Sequence, residues 1–137
     1  MILGSCVGIY LFDPVLSIGG ATHFMLPRCS GRTPSPRYGD VAISNLLHRF
    51  HALGSKPGVV QAKVFGGASM LHALRDVSVA GIGQIGLRNV ETALEFLDEA
   101  AIRVVEKDVF GNRGRKITMF SSTGETKLEF VSGADGD

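Results

Sequence analysis

The sequence predicts an α+β domain in which two helices pack against six or more strands, some of them joined as hairpins. Residues 6–12 and 18–25 are apolar and rich in β-branched side chains, with Asp-Pro and Gly-Gly pairs at their boundaries, so we expect them to pair as antiparallel strands. Two longer segments have amphipathic periodicity, which predicts helices, and three short strand-like segments follow. Hairpins mixed with helices favour this class over a doubly wound sheet.

Each predicted helix has an apolar stripe at helical spacing. We expect the first helix to begin at Asp40, whose side chain caps it, and to run to about Leu53, with Gly54 ending it. The second covers residues 87–101. The stripes consist of Val41, Leu46, Leu47 and Phe50 in the first helix and of Val90, Ala93, Leu94 and Leu97 in the second. Both helices should therefore pack one face against a sheet.

Further strands and their connections complete the predicted domain. The strands are expected at residues 59–65, 102–106, 116–120 and 126–130. Thr123-Gly124-Glu125 suits a hairpin turn between the last two. Residues 28–39 combine Pro, Gly, Ser and Arg, which predicts a mobile surface loop. The sequence thus predicts a single domain over residues 1–131, followed by a disordered tail at 132–137.

The composition is that of a globular protein and excludes several function classes. The 137 residues are 45% hydrophobic and 20% charged, with a formal net charge of +1, so we expect no nucleic-acid partner. The cationic cluster of Arg113, Arg115 and Lys116 is interpreted as a solvated turn. No apolar run is long enough to insert into a membrane. Leu3-Gly4-Ser5-Cys6 resembles a lipoprotein cleavage box, but no basic and apolar leader precedes it, so we expect a cytoplasmic protein.

Two reactive side chains lie at corresponding ends of the predicted hairpin. Cys6 follows Gly4 and Ser5 at the start of the first strand, and His23 lies near the end of the second. Antiparallel pairing brings these ends together, and a thiol beside an imidazole is a nucleophile with its base. A lone cysteine on an apolar strand is more often a core residue. The pair alone therefore leaves the structural and the catalytic interpretations open.

The other cysteine and histidines predict no metal site. Cys29 precedes a loop-like stretch and is interpreted as an incidental thiol, and we expect no disulfide in a chain without a secretory signal. His48 and His51 lie three positions apart on a predicted helix and have no third ligand nearby in the sequence. We interpret them as solvated helix residues.

Glycine pairs invite a phosphate-loop interpretation, which we reject. The run from Gly81 to Gly86 fits the dinucleotide fingerprint, but it follows only a marginal strand and is not followed by a suitably placed acidic residue. We predict no cofactor. Instead, we expect these glycines and Gly66-Gly67 to allow tight backbone approach beside a site.

Five blocks of the sequence, taken in order, point to a family. They are Leu3-Gly4-Ser5-Cys6-Val7, Gly19-Gly20-Ala21-Thr22-His23-Phe24-Met25-Leu26-Pro27, Lys63-Val64-Phe65-Gly66-Gly67-Ala68, Ile85-Gly86-Leu87-Arg88-Asn89-Val90 and Asp108-Val109-Phe110-Gly111-Asn112-Arg113-Gly114-Arg115-Lys116. Together they resemble CheD, the family of chemoreceptor glutamine deamidases of bacterial and archaeal chemotaxis. The resemblance extends from residue 3 to about residue 130.

The resemblance implies a reaction, a fold and a partner. The reaction is hydrolysis of selected glutamine side chains on methyl-accepting receptors to glutamate, with release of ammonia. Cys6 matches the family's nucleophile, and His23 matches its general base. The implied fold is a three-layer arrangement of mixed sheets and helices, similar to the catalytic domain of the cytotoxic necrotising factors. A CheC-type phosphatase is the implied regulatory partner.

The chain departs from the family pattern at several positions. The family's third site residue is a threonine six residues before the cysteine, and that position falls ahead of Met1. The strand that carries it is expected to be missing as well. Phe110 stands where the family commonly has glycine, and Leu87 replaces a usual polar residue.

The mechanism predicted from these residues is nucleophilic. We expect a neighbouring His23 imidazolium to lower the pKa of the Cys6 thiol, and backbone N–H groups around Gly4 and Ser5 to hold the oxyanion. Two alternatives remain open. The first is a non-catalytic regulator that binds the CheC-type partner, and the second is a Cys–His hydrolase that acts on receptor methyl esters.

Overall fold

The computed structural model describes residues 1–69 and 84–131, and the chain there forms two sheets and two α-helices. The strands are β1 Ile2–Leu3, β2 Val7–Asp13, β3 Ile18–Phe24, β4 Gln61–Gly66, β5 Arg103–Val109, β6 Arg115–Met119 and β7 Thr126–Phe130. The helices are α1 Gly39–Ala52 and α2 Ile85–Glu99, and a 3₁₀ turn covers Pro57–Val59. The α+β class predicted from the sequence is confirmed.

The larger sheet has the strand order β3-β2-β4-β5. β2 lies antiparallel to both of its neighbours, and β4 is parallel to β5 with a register shift between Ala62 and Lys63. α2 lies on the crossover between these parallel strands, which is the usual connection for such a pair. All seven residues of β2 are buried, so this strand is the centre of the domain.

The smaller sheet has the order β1-β6-β7 and is antiparallel throughout. β6 and β7 are joined by a tight turn in which the amide of Phe120 donates to the carbonyl of Glu125 at 2.9 Å. The hairpin predicted at 123–125 is thereby confirmed. Two residues are too few to show any periodicity, so β1 was not foreseen from the sequence.

Two apolar clusters divide the domain into layers. The larger cluster lies between the helices and one face of the four-stranded sheet, and it includes Val7, Phe24 and Val90. The smaller cluster lies between the two sheets and is centred on Leu3, Phe65 and Ile117. The four-stranded sheet is therefore covered by helices on one side and by the small sheet on the other.

Helix α1 begins differently from the prediction. Tyr38 is the N-cap residue and makes no side-chain capping bond, and Asp40 lies within the first turn. The Asp40 carboxylate instead accepts bonds from the backbone amides of Cys29 and Val41. The predicted end is close to the observed one, because Leu53 caps the helix and Gly54 follows with a φ of +87°.

The remaining predictions about the chain have mixed outcomes. The hairpin of β2 and β3, the later strands and the second helix are confirmed, with bounds that differ by a few residues. The run from Gly81 to Gly83 and the tail at 132–137 lie outside the described residues. Neither α1 nor α2, the α-helices of the described part, is long and apolar enough to cross a membrane.

Candidate active site

The β2–β3 hairpin sets the relative positions of Cys6 and His23. Gly8 of β2 lies directly opposite His23 of β3, and the register ends at the pair Val7 and Phe24. Cys6 immediately precedes β2 and lies two residues before Gly8. Continuing the register by one residue would make Cys6 and His23 diagonal neighbours, which in an antiparallel pair are about 7–8 Å apart between Cα atoms.

Both side chains belong to the face of the hairpin that turns towards the small sheet. Val7 and Phe24 pack into the helix-side cluster, so their neighbours in sequence point the other way. A Cβ on Gly8 would meet the side chains of Met1 and Leu3, and Cys6 packs against the cluster between the sheets. Cys6 is half-buried and His23 is exposed. Among the described residues, no hydrogen bond joins the thiol to the imidazole.

Two glycines let the end of β4 pass directly behind Cys6. Gly66 and Gly67 have φ values of +105° and +68°, a region that L side chains rarely adopt. The Gly67 amide donates to the Cys6 carbonyl at 2.9 Å, and the Ala68 amide donates to the Gly4 carbonyl at 3.0 Å. A Cβ on Gly66 would collide with the Cys6 carbonyl oxygen. The predicted close backbone approach at these glycines is therefore confirmed.

Gly86 has the same role at the start of α2. A Cβ there would lie 2.5 Å from the Gly67 carbonyl oxygen and 2.7 Å from that of Ala68. The helix thus begins in direct contact with the turn that supports Cys6.

A buried arginine holds the outer side of the same turn. Arg115 Nε donates to Asp108 Oδ1 at 2.8 Å, and its Nη2 donates to the Phe110 carbonyl at 2.9 Å. Its Nη1 lies 3.5 Å from the Gly66 carbonyl oxygen. The predicted solvated turn is therefore wrong for Arg115, because three backbone and side-chain acceptors compensate for its burial. Arg113 and Lys116 are exposed as expected.

Some of the backbone hydrogen-bonding groups around Gly4 and Ser5 already have partners within the protein. The Gly4 carbonyl accepts from Ala68, and the Ser5 carbonyl accepts from the side-chain amide of Asn89 at 3.0 Å. Among the described residues, the backbone amides of Gly4 and Ser5 donate to no backbone carbonyl, whereas the Cys6 amide interacts with the Cys6 thiol. Within the described part of the chain, the Gly4 and Ser5 N–H groups therefore have hydrogen-bonding capacity left for a ligand.

Asn89 is the site neighbour that sequence reasoning missed. It lies on α2, is fully buried, and donates to the carbonyls of both Ser5 and Met25 at 3.0 Å. It stands four residues before Ala93 and eight before Leu97, on the apolar stripe of the helix. A polar side chain on a stripe predicted to be buried was the signal available in the sequence.

Comparisons with known proteins identify the family of this chain. The family model described as CheD chemotactic sensory transduction matches residues 25–130, which is most of the chain. This chain belongs to the CheD family. The matched stretch begins two residues after His23, so it includes neither Cys6 nor His23.

Relatives of this CheD-family chain extend the similarity over more of its length. The protein named "Probable chemoreceptor glutamine deamidase CheD 1" of Anaeromyxobacter dehalogenans is 45% identical over 116 residues, covering 85% of this chain. The protein of Thermotoga maritima named "Chemoreceptor glutamine deamidase CheD" is 35% identical over 134 residues, covering 97% of this chain. The matches span 65% of the first relative and 81% of the second.

Burial sets the acidity of the thiol in this CheD-family chain. Desolvation raises the pKa of Cys6 above its ordinary value, and the residue's own backbone N–H partly opposes this by lowering it. The expected net lowering by an imidazolium is therefore wrong for the free chain. A weakly acidic nucleophile is better activated by a base that removes its proton when the substrate is bound, and this applies to the Cys6 thiol.

The raised pKa predicts the pH dependence of alkylation by iodoacetamide. Because only the thiolate reacts, the alkylation rate of Cys6 should rise with pH to a midpoint above that of the same chain unfolded in urea. Peptide mass spectrometry after timed quenching separates Cys6 from Cys29. A midpoint at or below that of the unfolded chain would contradict the assignment of burial as the dominant cause.

The other predicted sites behave as surface residues. The Cys29 thiol donates to the Arg32 carbonyl at 3.0 Å, and both cysteines are free. His48 and His51 are exposed on α1, as expected. In the part of the chain that the structure describes, no three His, Cys, Asp or Glu side chains are grouped so as to hold a metal ion.

Proposed function

We propose that this chain hydrolyses the side-chain amides of selected glutamines on chemoreceptors, giving glutamate and ammonia. One structural observation supports the proposal: His23 lies opposite Gly8 in the hairpin register, and Cys6 precedes Gly8 by two residues, next to the N–H groups of Gly4 and Ser5. Membership of the CheD family and the names of the relatives supply the substrate class.

The first half of the proposed reaction forms a thioester. His23 removes the proton from the Cys6 thiol as the sulfur attacks the amide carbon of the glutamine. The negative charge that develops on the amide oxygen is stabilised by the backbone N–H groups of Gly4 and Ser5. His23 then returns the proton to the departing nitrogen. The carbon–nitrogen bond breaks, and ammonia leaves.

The second half of the reaction restores the enzyme. His23 removes a proton from water, which attacks the thioester carbon, and the carbon–sulfur bond then breaks. Cys6 regains its proton and the substrate side chain is now a carboxylic acid, which ionises at neutral pH. Every proton in this scheme moves through His23, and no metal or cofactor takes part.

The product changes the electrostatics of the receptor surface. Each conversion of glutamine to glutamate adds one negative charge, and like charges three or four residues apart on a helix destabilise it by about 0.2–0.5 kcal/mol per pair. Several converted sites can therefore shift a signalling equilibrium whose two states are close in free energy.

Further features of the protein belong to the same proposal. We expect residues 1–131 to act as one catalytic domain in the cytoplasm, and a CheC-type phosphatase to bind and regulate it. The helix, sheet and sheet layers described above are consistent with an arrangement like that of the cytotoxic necrotising factor catalytic domain. The reaction requires only that a receptor glutamine reach the exposed face beside His23.

A non-catalytic regulator is the second candidate. It is favoured by the raised pKa of Cys6 and by the lack of a hydrogen bond between the thiol and His23 among the described residues. In that case the protein would bind its partner and leave receptor glutamines unchanged.

The proposal is tested by incubating the chain with a receptor cytoplasmic fragment and measuring mass and released products. We expect a gain of about one mass unit for each glutamine converted, with an equal amount of ammonia. Methanol released from a methylated fragment in place of ammonia would identify a methyl-ester hydrolase. Binding to a CheC-type protein with neither product would identify a regulator.

A further inference from the structure

We propose that Asn89 is a positioning residue, which holds the Cys6 and His23 segments at the separation that the reaction needs. The inference rests on the proposed function, because it concerns the same pair of residues. In this proposal, a side chain of helix α2 fixes the geometry of the β2–β3 hairpin, to which α2 does not belong.

The β2–β3 ladder includes His23 but ends one residue before Cys6. Its last rung is Val7 opposite Phe24, and the next pair along would have been Cys6 and Met25. The Cys6 carbonyl instead accepts from the Gly67 amide of the β4 side, and the Met25 amide donates to the Arg37 carbonyl at 2.9 Å. The ladder therefore does not join the Cys6 segment directly to the segment that follows His23.

Asn89 supplies the connection that the ladder lacks. Its Nδ2 donates one bond to the Ser5 carbonyl and another to the Met25 carbonyl, each at 3.0 Å. One amide group, buried on a helix, thus joins the residue that precedes Cys6 to the segment that leaves β3. Because both N–H bonds come from a single nitrogen, the separation of the two carbonyls is restricted by the geometry of that group.

The other atom of the Asn89 amide indicates that stability alone does not explain the residue. Among the described residues, its Oδ1 is buried and has no hydrogen-bond partner. An unpartnered buried acceptor destabilises a fold, so it offsets part of the stabilisation that the two donated bonds provide. What is particular to Asn89 is that these two bonds fix the approach of the Ser5 and Met25 segments.

Small errors in this approach should have large effects on the chemistry. Reacting groups must be held close to their productive geometry, and a misplacement of about 1 Å can lower a rate by about a hundredfold. Cys6 and His23 begin as diagonal neighbours rather than as a directly opposed pair. A change in the angle between the two strands therefore changes the distance between the thiol and the imidazole more than it changes the contacts that each residue makes with its neighbours.

The test is a double-mutant cycle on the initial rate of ammonia release from a receptor cytoplasmic fragment. The full chain is compared with Asn89→Leu, with His23→Ala and with the double variant. If Asn89 acts through the pair, Asn89→Leu should lower the rate about tenfold and His23→Ala about a hundredfold, and the double variant should be no slower than His23→Ala. Multiplied effects in the double variant would overturn the proposal.

The outcomes separate this proposal from the function on which it rests. If the full chain releases no ammonia, the proposed function is wrong and this proposal falls with it. If the full chain is active and His23→Ala leaves its rate unchanged, the Cys6–His23 pair itself is wrong. If His23→Ala lowers the rate but Asn89→Leu does not, only the role of Asn89 is wrong. Thr92→Val is the matched control, since Thr92 is also buried on α2, and it should leave the rate of ammonia release unchanged.

Folding of the variants is verified by thermal unfolding before any rate is interpreted. Should Asn89→Leu not fold, the near-isosteric Asn89→Asp replaces it in the same cycle, because it removes both donated bonds while keeping the side-chain volume. If neither variant folds, Asn89 is required for the structure as a whole and the proposal is overturned.

Discussion

Replacing Cys6 by serine is expected to lower the rate of receptor deamidation by about a thousandfold or more. The Cys6 sulfur is the atom proposed to form the thioester, and a serine hydroxyl is a far weaker nucleophile at neutral pH. The side-chain volume changes little, so the variant should keep the fold. The measurement is the initial rate of mass gain on a receptor fragment, together with ammonia release.

Cys29→Ser is the matched control for this experiment. It removes the other thiol, which lies in the loop between β3 and α1 and donates to the Arg32 carbonyl. Activity should stay within about twofold of the unmodified chain, as expected for a surface substitution of small energetic effect. A Cys6→Ser variant as active as the Cys29→Ser control would show that the thioester mechanism is wrong.

Gly66→Ala is expected to have the largest effect on stability, about 3 kcal/mol or more in the free energy of unfolding. Two costs combine at this position. The backbone has a φ of +105°, and the new methyl group would collide with the Cys6 carbonyl oxygen, which is backbone and cannot move aside cheaply. Urea unfolding, followed by circular dichroism, measures the change in midpoint.

Gly58→Ala provides the comparison. Gly58 lies in the 3₁₀ turn, and a Cβ there would have nothing within 4 Å. Its free energy of unfolding should change by about 0.5 kcal/mol or less. Equal midpoints for the two variants would mean that the turn behind Cys6 relaxes easily, and that the close approach of Gly66 to the nucleophile segment is not a constraint on the site.

The sequence predicted the hairpin and the helices because their signals are local. Apolar, β-branched composition bounded by Asp-Pro and Gly-Gly was sufficient for β2 and β3, and helical periodicity was sufficient for α1 and α2. The N-cap was predicted wrongly because the Asp40 carboxylate has a competing partner, the Cys29 amide, from eleven residues earlier. The bond from the Cys29 amide depends on the path of a loop that composition does not specify.

The same distinction applies to the candidate site. Cys6 and His23 were identified from short motifs, and their approach follows from hairpin register. The raised pKa of Cys6 was not foreseen, because it depends on burial by the small sheet. The hydrogen bonds that Asn89 donates join it to Ser5, which is 84 positions away, and to Met25, which is 64 positions away. No local sequence pattern encodes such contacts.

The division between local and distant contacts has a consequence for the order of folding. Cys6 and His23 are seventeen positions apart, so closing their hairpin costs little chain entropy and should occur early. The bonds from α2 and the packing of the Gly66 turn require most of the chain to be in place. During folding, the thiol and the imidazole should therefore come close before Asn89 and the Gly66 turn fix their relative positions. Catalytic activity should appear only in the final cooperative step.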